Sequence, residues 1–469
     1  MGGVNYTRGS DNMPGRRNNA GTGAGPDERS VGTLSVTDAV AVIAGVVVGA
    51  GIFRCPSIVA ANVGSLGALV AAWLLGGAIS LVGALCYAEL ASAFAHPGGE
   101  YHLLSRAYGR GVGFLFAWAR LTVIQTGSIA GLAFVFGDYV AGLLHNGDAV
   151  CSAAYAGGCV AVLTGLNVVG VRQGACAQKL LTAAKVLGLA LVGSAALLAG
   201  GPAPTPGDAG GRVAAGTGHF GLALVFVLFT FGGWNEAAYI AAELKDRRHG
   251  VVRALVASVL GIAVLYAVVN LAYVHVLGLR GVADSSAVAA DVMRRATGDL
   301  GAAVTGCLVA LAALGATNAT ILTGARAYYA LGRDHRLLGF MGTWRAPGAT
   351  PASGLIVQGA VTLAVVAAGA VTRKGFQTMV DYTAPVFWLF FLLVGASVIA
   401  LRVREPHAER SFRVPLYPLT PVLFCGACAF MLHAAVSYAG RGALVGLAVL
   451  AVGVPVWLAC RAVGGRGEV

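Results

Sequence analysis

The stretch VVVGAGIFRCP, from Val46 to Pro56, interrupts an apolar run with two glycines, an arginine and a proline. Glycine and proline weaken a helix, and an arginine is costly among lipid chains. A helix broken in this way leaves backbone N–H and C=O groups without partners, which lipid excludes but a cavity or a polar ligand accepts. The stretch therefore predicts a broken helix that borders a cavity, if the helix lies in a membrane.

The composition places this stretch in a lipid bilayer. Of the 469 residues, 57% are hydrophobic and 11% are charged, whereas a soluble domain has about 25% charged residues. Charge-free windows long enough to cross a bilayer recur along the chain, and a length of about 20 residues per span predicts twelve transmembrane helices. We therefore predict an all-α integral membrane protein.

The basic residues predict the orientation of the chain. With both termini in the cytoplasm, the tails and loops on that side hold about 22 of the 32 lysines and arginines, as the positive-inside rule requires. The net charge of +12 then faces anionic lipid headgroups. No basic–aromatic pattern on a soluble domain indicates nucleic-acid binding.

Nothing in the sequence indicates enzymatic chemistry. His219, His275 and His433 lie in or near spans, but none pairs with a second ligand type at helical spacing. Cys425 and Cys428 have no second cysteine pair to complete a zinc site. We predict no catalytic residue, no metal and no cofactor.

The sixth predicted span repeats the interruption of the first. It reads LVFVLFTFGGWNEAAYIAAEL, Leu224 to Leu244, with two glycines followed by Asn235 and Glu236. Because the two broken spans are five positions apart, and five is odd, a second copy of a five-helix unit would enter the membrane from the opposite side. Such a site offers N–H groups to a carboxylate and carbonyls to an ammonium, which suits a zwitterion such as an α-amino acid. Alternatively, both glycine pairs serve only close helix packing.

Six segments resemble one known family in order along the chain. They are VGAGIF with Pro56, SLVGALCYAELASAFAHPGGEY at 80–101, TAAKVLGLALV at 182–192, FGGWN at 231–235, LAYVHVLGL at 271–279 and RAYYALGRD at 326–334. Together they resemble the amino acid–polyamine–organocation superfamily, and within it the L-type amino acid transporter branch. The similarity covers about residues 33 to 460.

The resemblance implies a leucine-transporter-like fold, with two inverted five-helix repeats followed by two extra helices. The predicted parts are a disordered cytoplasmic tail at 1–32, a first repeat at 33–200, an extracytoplasmic linker at 201–218, a second repeat at 219–402, two further helices at 403–462 and a cytoplasmic tail at 463–469.

The resemblance also implies a set of substrate-binding residues. Those of the first span, acting through backbone groups, are Gly49, Ala50, Gly51 and Ile52. Those of the sixth span are Phe229, Thr230, Phe231, Gly232 and Asn235. In the family pattern, Phe229 closes over the substrate and Asn235 lies just past the break.

Lys185 is an intramembrane lysine that needs a partner. By resemblance, its ammonium replaces the cation that sodium-coupled relatives bind between the first and eighth spans. Its predicted partners are Thr317, Asn318 and Thr320. Transport is then independent of sodium. Alternatively, Lys185 snorkels to the cytoplasmic surface.

Three further charged residues each allow more than one interpretation. Glu236 caps a half-helix dipole, or couples a proton to transport, or favours cationic side chains. Arg54 either gates the site or pairs near the membrane surface. Glu89 belongs to an ion pair that is either structural or gating.

The predicted function is secondary active transport of amino acids, most of all neutral L-amino acids, across the cell membrane by alternating access. Sodium-independent exchange and proton-coupled uptake both fit, as does a cationic amino acid or polyamine antiporter, or an amino-acid-sensing channel or transceptor. Cys151 does not lie where eukaryotic relatives link a heavy subunit, so we expect a monomer or homodimer without a disulfide-linked partner. The Ala-, Gly- and Arg-rich composition is typical of a high-GC bacterium.

Overall fold

The computed structural model describes residues 35–49, 51–96, 98–146, 148–169, 185, 188–189, 192–195, 220–241, 244–246, 249–343, 351–372 and 374–463. Within these ranges the secondary structure is helical, without a β-strand. The helices before residue 170 are α1 Val36–Val47, α2 Gly51–Asn62, α3 Leu66–Ala93, α4 Gly99–Tyr108, α5 Arg110–Ala119, α6 Gln125–Leu143 and α7 Ala149–Val169. Those after residue 219 are α8 Phe220–Phe231, α9 Ala237–Ile240, α10 Gly250–Asp284, α11 Val288–Asp334, α12 Ala352–Thr372, α13 Gly375–Arg404, α14 Leu419–Ala439 and α15 Arg441–Val463.

The described helices form a multi-pass membrane bundle. Within the described ranges, ten helices are long and apolar enough to cross a membrane, and the bent pair α1–α2 makes an eleventh. Most of the predicted fifth span, together with the predicted tail 1–32 and linker 201–218, lies outside the described residues. The count of twelve spans and the inverted repeat stay predictions.

The first span is broken at its glycines. Helix α1 begins with a capping box, in which the Ser35 hydroxyl accepts from the Asp38 amide at 3.1 Å and the Asp38 carboxylate accepts from the Ser35 amide at 3.0 Å. It ends at Val47, and α2 begins at Gly51 with its axis turned by 50°. The chain therefore leaves the helical path at the predicted position.

The sixth span is broken at Gly232 and Gly233. Helix α8 ends at Phe231, and a 3₁₀ turn over Trp234–Glu236 leads into α9. Gly233 has φ +110°, a left-handed conformation that glycine adopts without steric cost. A Cβ atom on Gly233 would also lie 2.9 Å from Val46 Cγ1, so the two breaks pack directly against each other.

Helix α4 is a short element between α3 and α5 that the count of spans did not predict. Its inward face buries Glu100 and Tyr101. The Tyr101 hydroxyl donates to Asp334 at the end of α11 at 2.5 Å. This contact ties α4 to a helix that follows it by more than 200 residues, so α4 folds back onto the bundle.

We predict that Gly233→Ala destabilises the protein by about 1–2 kcal/mol, because an L side chain is strained at this φ and clashes with Val46. The matched control is Gly158→Ala, at a helical glycine of α7 whose Cβ would meet nothing within 4 Å. Alanine is the better helix former there. Thermal unfolding in detergent measures both variants. Equal melting temperatures for the two would contradict the prediction.

Candidate functional site

A cavity of about 130 Å³ is lined by residues of both breaks. Eight of the predicted site residues line it: Gly49, Gly51, Phe229, Thr230, Gly232, Asn235, Glu236 and Thr320. The remaining wall comes from Val46, Val47, Val225, Gly233 and three stretches, 120–132, 316–323 and 380–388. The Phe229 ring stands edge-on to Phe376 at a centroid distance of 5.7 Å.

The cavity is lined both by polar side chains and by the backbone at the two breaks. Gly51 starts helix α2, and the first amides of a helix have no acceptor within it, so they form a positive end that suits a carboxylate. The Tyr266 hydroxyl lies 2.9 Å from Val47 O and 3.2 Å from Thr230 O, so its single proton is shared between the two carbonyls. One hydroxyl group thus connects a carbonyl of each break.

The other predicted contacts lie behind the cavity wall. Ile52 is fully buried, and the Phe231 ring packs against Trp73 and Tyr266 with centroid distances of 6.2 and 5.1 Å. Neither residue lines the cavity. Ala50 lies outside the described residues. The roles assigned to these three positions stay predictions.

Lys185 is buried and reaches the first span rather than the membrane surface. Its Nζ atom donates to Gly45 O at 3.0 Å, one turn before the break. Of its predicted partners, Thr317 and Thr320 donate their hydroxyls to carbonyls of their own helix, Ala313 O and Ala316 O, both at 2.8 Å.

Asn318 is held by a residue that the sequence reading did not single out. Its Oδ1 atom accepts from Asn167 at 2.8 Å, and both residues are fully buried. Asn318 and Thr317 lie outside the cavity lining. Of the three predicted partners of Lys185, Thr320 therefore lines the cavity and Thr317 and Asn318 do not.

Arg120 is the principal cavity residue that the sequence reading left without a role. It begins a π-helical turn over Arg120–Ile124, between α5 and α6, and is 2% exposed. Its guanidinium donates to Glu236 at 2.7 Å and to Glu100 at 3.3 Å. The available signal was an arginine inside an apolar span, which requires a buried partner.

Arg54 and Glu89 lie away from the cavity. The Arg54 guanidinium donates to Ser286 O at 2.6 Å, just before α11. Glu89 accepts two hydrogen bonds from Arg402, at 2.8 and 2.6 Å, and lies 3.5 Å from Arg410. It also accepts from the Val414 amide at 2.7 Å. Glu89 therefore pins the segment after α13 to the end of α3.

A cavity between two broken helices of a membrane protein is typical of transporters. Residues 34–463 match the family described as amino acid permease, and the chain belongs to that family. The resemblance drawn from the sequence is thereby confirmed. The chain is an amino acid transporter.

Three similar proteins illustrate the relationship. The b(0,+)-type amino acid transporter 1 of Mus musculus is 29% identical over 402 residues, 84% of this chain and 81% of that protein. The large neutral amino acids transporter small subunit 2 of Rattus norvegicus is 29% identical over 466 residues, with 96% and 84% covered. The Asc-type amino acid transporter 1 of Mus musculus is 28% identical over 433 residues, with 90% and 80% covered.

We predict that Glu89→Gln lowers the free energy of unfolding by about 3 kcal/mol, because it leaves Arg402 and Arg410 without a buried counter-charge. Unfolding in detergent measures the change. A loss below 1 kcal/mol, on the order of an exposed ion pair, would contradict it.

The matched control is Glu405→Gln, which removes the partly exposed partner of Arg106 and costs less than about 1 kcal/mol. The hydrogen bond from Arg106 holds the pKa of Glu405 below its ordinary value. The ion pair between Glu405 and Arg106 therefore stabilises the folded state at neutral pH. This stabilisation is lost as the pH falls through the lowered pKa that Glu405 has in the folded protein.

Proposed function

We propose that the chain transports neutral L-amino acids by alternating access around the cavity at the two breaks. The observation that carries the proposal is the meeting of opposite backbone ends in one cavity. The start of α2 suits the substrate carboxylate, and the carbonyls before the breaks suit its ammonium. The name of the rat relative, a large neutral amino acids transporter, supports the substrate class.

We extend the proposal to the whole fold. Two inverted five-helix repeats at 33–200 and 219–402, two further helices at 403–462, and both termini in the cytoplasm agree with the positions of the two breaks and with the basic residues. The protein would act in the cell membrane as a monomer or homodimer. The rat relative is named a small subunit, but Cys151 of this chain lies away from the family position, so we propose no disulfide-linked heavy subunit.

The test is uptake of a panel of radiolabelled amino acids into proteoliposomes, with and without unlabelled amino acid inside. We expect saturable uptake of neutral amino acids that internal amino acid accelerates or that an inward proton gradient increases. Preference for cationic amino acids or polyamines would favour the antiporter on the same scaffold. Flux that does not saturate and shows no counterflow would indicate a channel and contradict the proposal.

We predict that uptake is unchanged when sodium is replaced by choline, because the Lys185 ammonium already supplies a positive charge to Gly45 O. The variant Lys185→Met removes this donor and lowers uptake by at least about tenfold, since the carbonyl loses a charge-assisted hydrogen bond. Sodium does not restore it. The control Lys374→Met, at an exposed position before α13, keeps normal uptake. A steep dependence of wild-type uptake on sodium would refute the assigned role.

A further inference from the structure

Glu100 is a buried residue of α4 whose carboxyl group is surrounded by donors from other parts of the chain. The side chain is 2% exposed. Its Oε1 atom accepts from the Tyr87 hydroxyl at 2.6 Å and from Asn235 Nδ2 at 3.2 Å. Its Oε2 atom accepts from the Tyr239 hydroxyl at 3.2 Å and from Arg120 Nη1 at 3.3 Å. One side chain therefore orients four polar groups.

Two of these four donors belong to the wall of the cavity. Arg120 and Asn235 line it, whereas Glu100, Tyr87 and Tyr239 do not. Asn235 lies in the 3₁₀ turn that follows the second break. Glu100 can therefore act on a ligand only through residues that line the cavity.

The contact with Glu100 decides which end of the Asn235 amide faces the cavity. An asparagine amide has an NH₂ donor at one end and an oxygen acceptor at the other. The donor end is turned to Glu100 Oε1. The Oδ1 atom accepts no hydrogen bond from the described residues and is not enclosed by them, so it is open to the cavity. Asn235 consequently offers the cavity an acceptor and not a donor.

An ionised and a protonated Glu100 both support this orientation of the amide. A carboxylic acid donates through one O–H group and keeps its remaining acceptor capacity. The hydroxyls of Tyr87 and Tyr239 can accept the acid proton, because a hydroxyl both donates and accepts. Glu100 Oε1 then still accepts from the Asn235 amide. The argument therefore needs no assumption about the charge of Glu100.

We propose that Glu100 is a positioning residue for substrate binding, which turns the Asn235 amide so that its Oδ1 atom accepts a hydrogen bond from the substrate's α-ammonium. The α-ammonium is the N–H donor that α-amino acids share, and a hydrogen bond from a charged donor is a strong one. The carbonyls before the breaks suit the same group. The inference rests on the proposed transport of amino acids and deepens it, because it adds a residue behind the cavity wall to those that determine substrate affinity.

The variant Glu100→Gln tests the inference, because it changes the pattern of donors and acceptors at nearly constant size. Arg120 can only donate, so the oxygen of the new amide stays on its side and the new NH₂ group faces Asn235. Asn235 must then turn its oxygen toward position 100 and its own NH₂ group toward the cavity. We expect the dissociation constant of radiolabelled L-leucine for the purified full-length chain to rise at least about tenfold, since the ammonium meets a donor.

Exchanging the two groups restores the pattern. In the double variant Glu100→Gln, Asn235→Asp, the amide at position 100 donates to one carboxylate oxygen at position 235, and the second oxygen faces the cavity as an acceptor. The dissociation constant of L-leucine then returns to within about threefold of the wild-type value, because the two substitutions are coupled. If Glu100→Gln alone does not fold, the double variant is compared with Asn235→Ala, which removes the acceptor and weakens binding at least about tenfold.

The matched control is Glu89→Gln, at a second carboxylate that is 2% exposed and accepts several hydrogen bonds, but lies away from the cavity. This variant lowers the melting temperature and leaves the dissociation constant of L-leucine for the folded protein unchanged. Thermal unfolding in detergent, measured for each variant, separates a loss of stability from a loss of affinity.

Wild-type affinity for L-leucine in a folded Glu100→Gln protein would overturn the inference and leave Glu100 a purely structural role. The same holds if the double variant does not recover affinity, or if Asn235→Ala binds L-leucine like the wild-type chain. Absence of L-leucine binding to the wild-type chain would instead contradict the proposed function, and the inference that rests on it would fail with it.

Discussion

The structure depends on one constraint: backbone N–H and C=O groups at membrane depth each need a hydrogen-bond partner. Breaking a helix frees such groups, so each break has to be surrounded by groups that complete it. Tyr266 shares its hydroxyl proton between a carbonyl from each break, and Lys185 donates to Gly45 just before the first. Gly49, Gly51, Gly232 and Gly233 of the two breaks also line the cavity.

The same constraint applies to the charged side chains. Arg120 and Glu100 are each 2% exposed, and burial at this depth is tolerated because they pair with each other and with further donors and acceptors. Arg402 and Arg410 surround Glu89 in a second network near the end of α3. The Arg120 network borders the cavity, so it can contact a ligand. The Glu89 network lies away from the cavity and holds helices together.

The sequence was most informative where a local signal exists. Helix-breaking glycines at 49, 51, 232 and 233 predict both breaks, because the cost of glycine in a helix is a property of the residue itself. Eight residues that the breaks, the charge pattern and the family resemblance singled out line the cavity.

Side-chain contacts between residues that are distant in sequence could not be predicted from a local signal. Glu89 meets Arg402 across 313 positions, and Arg54 meets Ser286 O across 232. Glu100 reaches Arg120 only because α4 folds back onto the bundle, and a short half-polar helix gives little periodic signal. Phe231 stands next to the break in sequence, yet its ring points into the packing around Trp73.

The π-helical turn at Arg120–Ile124 acts as a one-residue insertion in the angular register of its span. Along a regular α-helix, Arg120 and Leu132 would be offset by roughly 120° around the axis, on different faces. The extra residue of a π-turn takes up about one step of 100° and reduces this offset to roughly 20°. Arg120, Ser128 and Leu132 can thus all line one cavity. The π-turn changes the angular position of Arg120 on its helix, and this change, rather than the identity of any single side chain, puts the guanidinium on the cavity side.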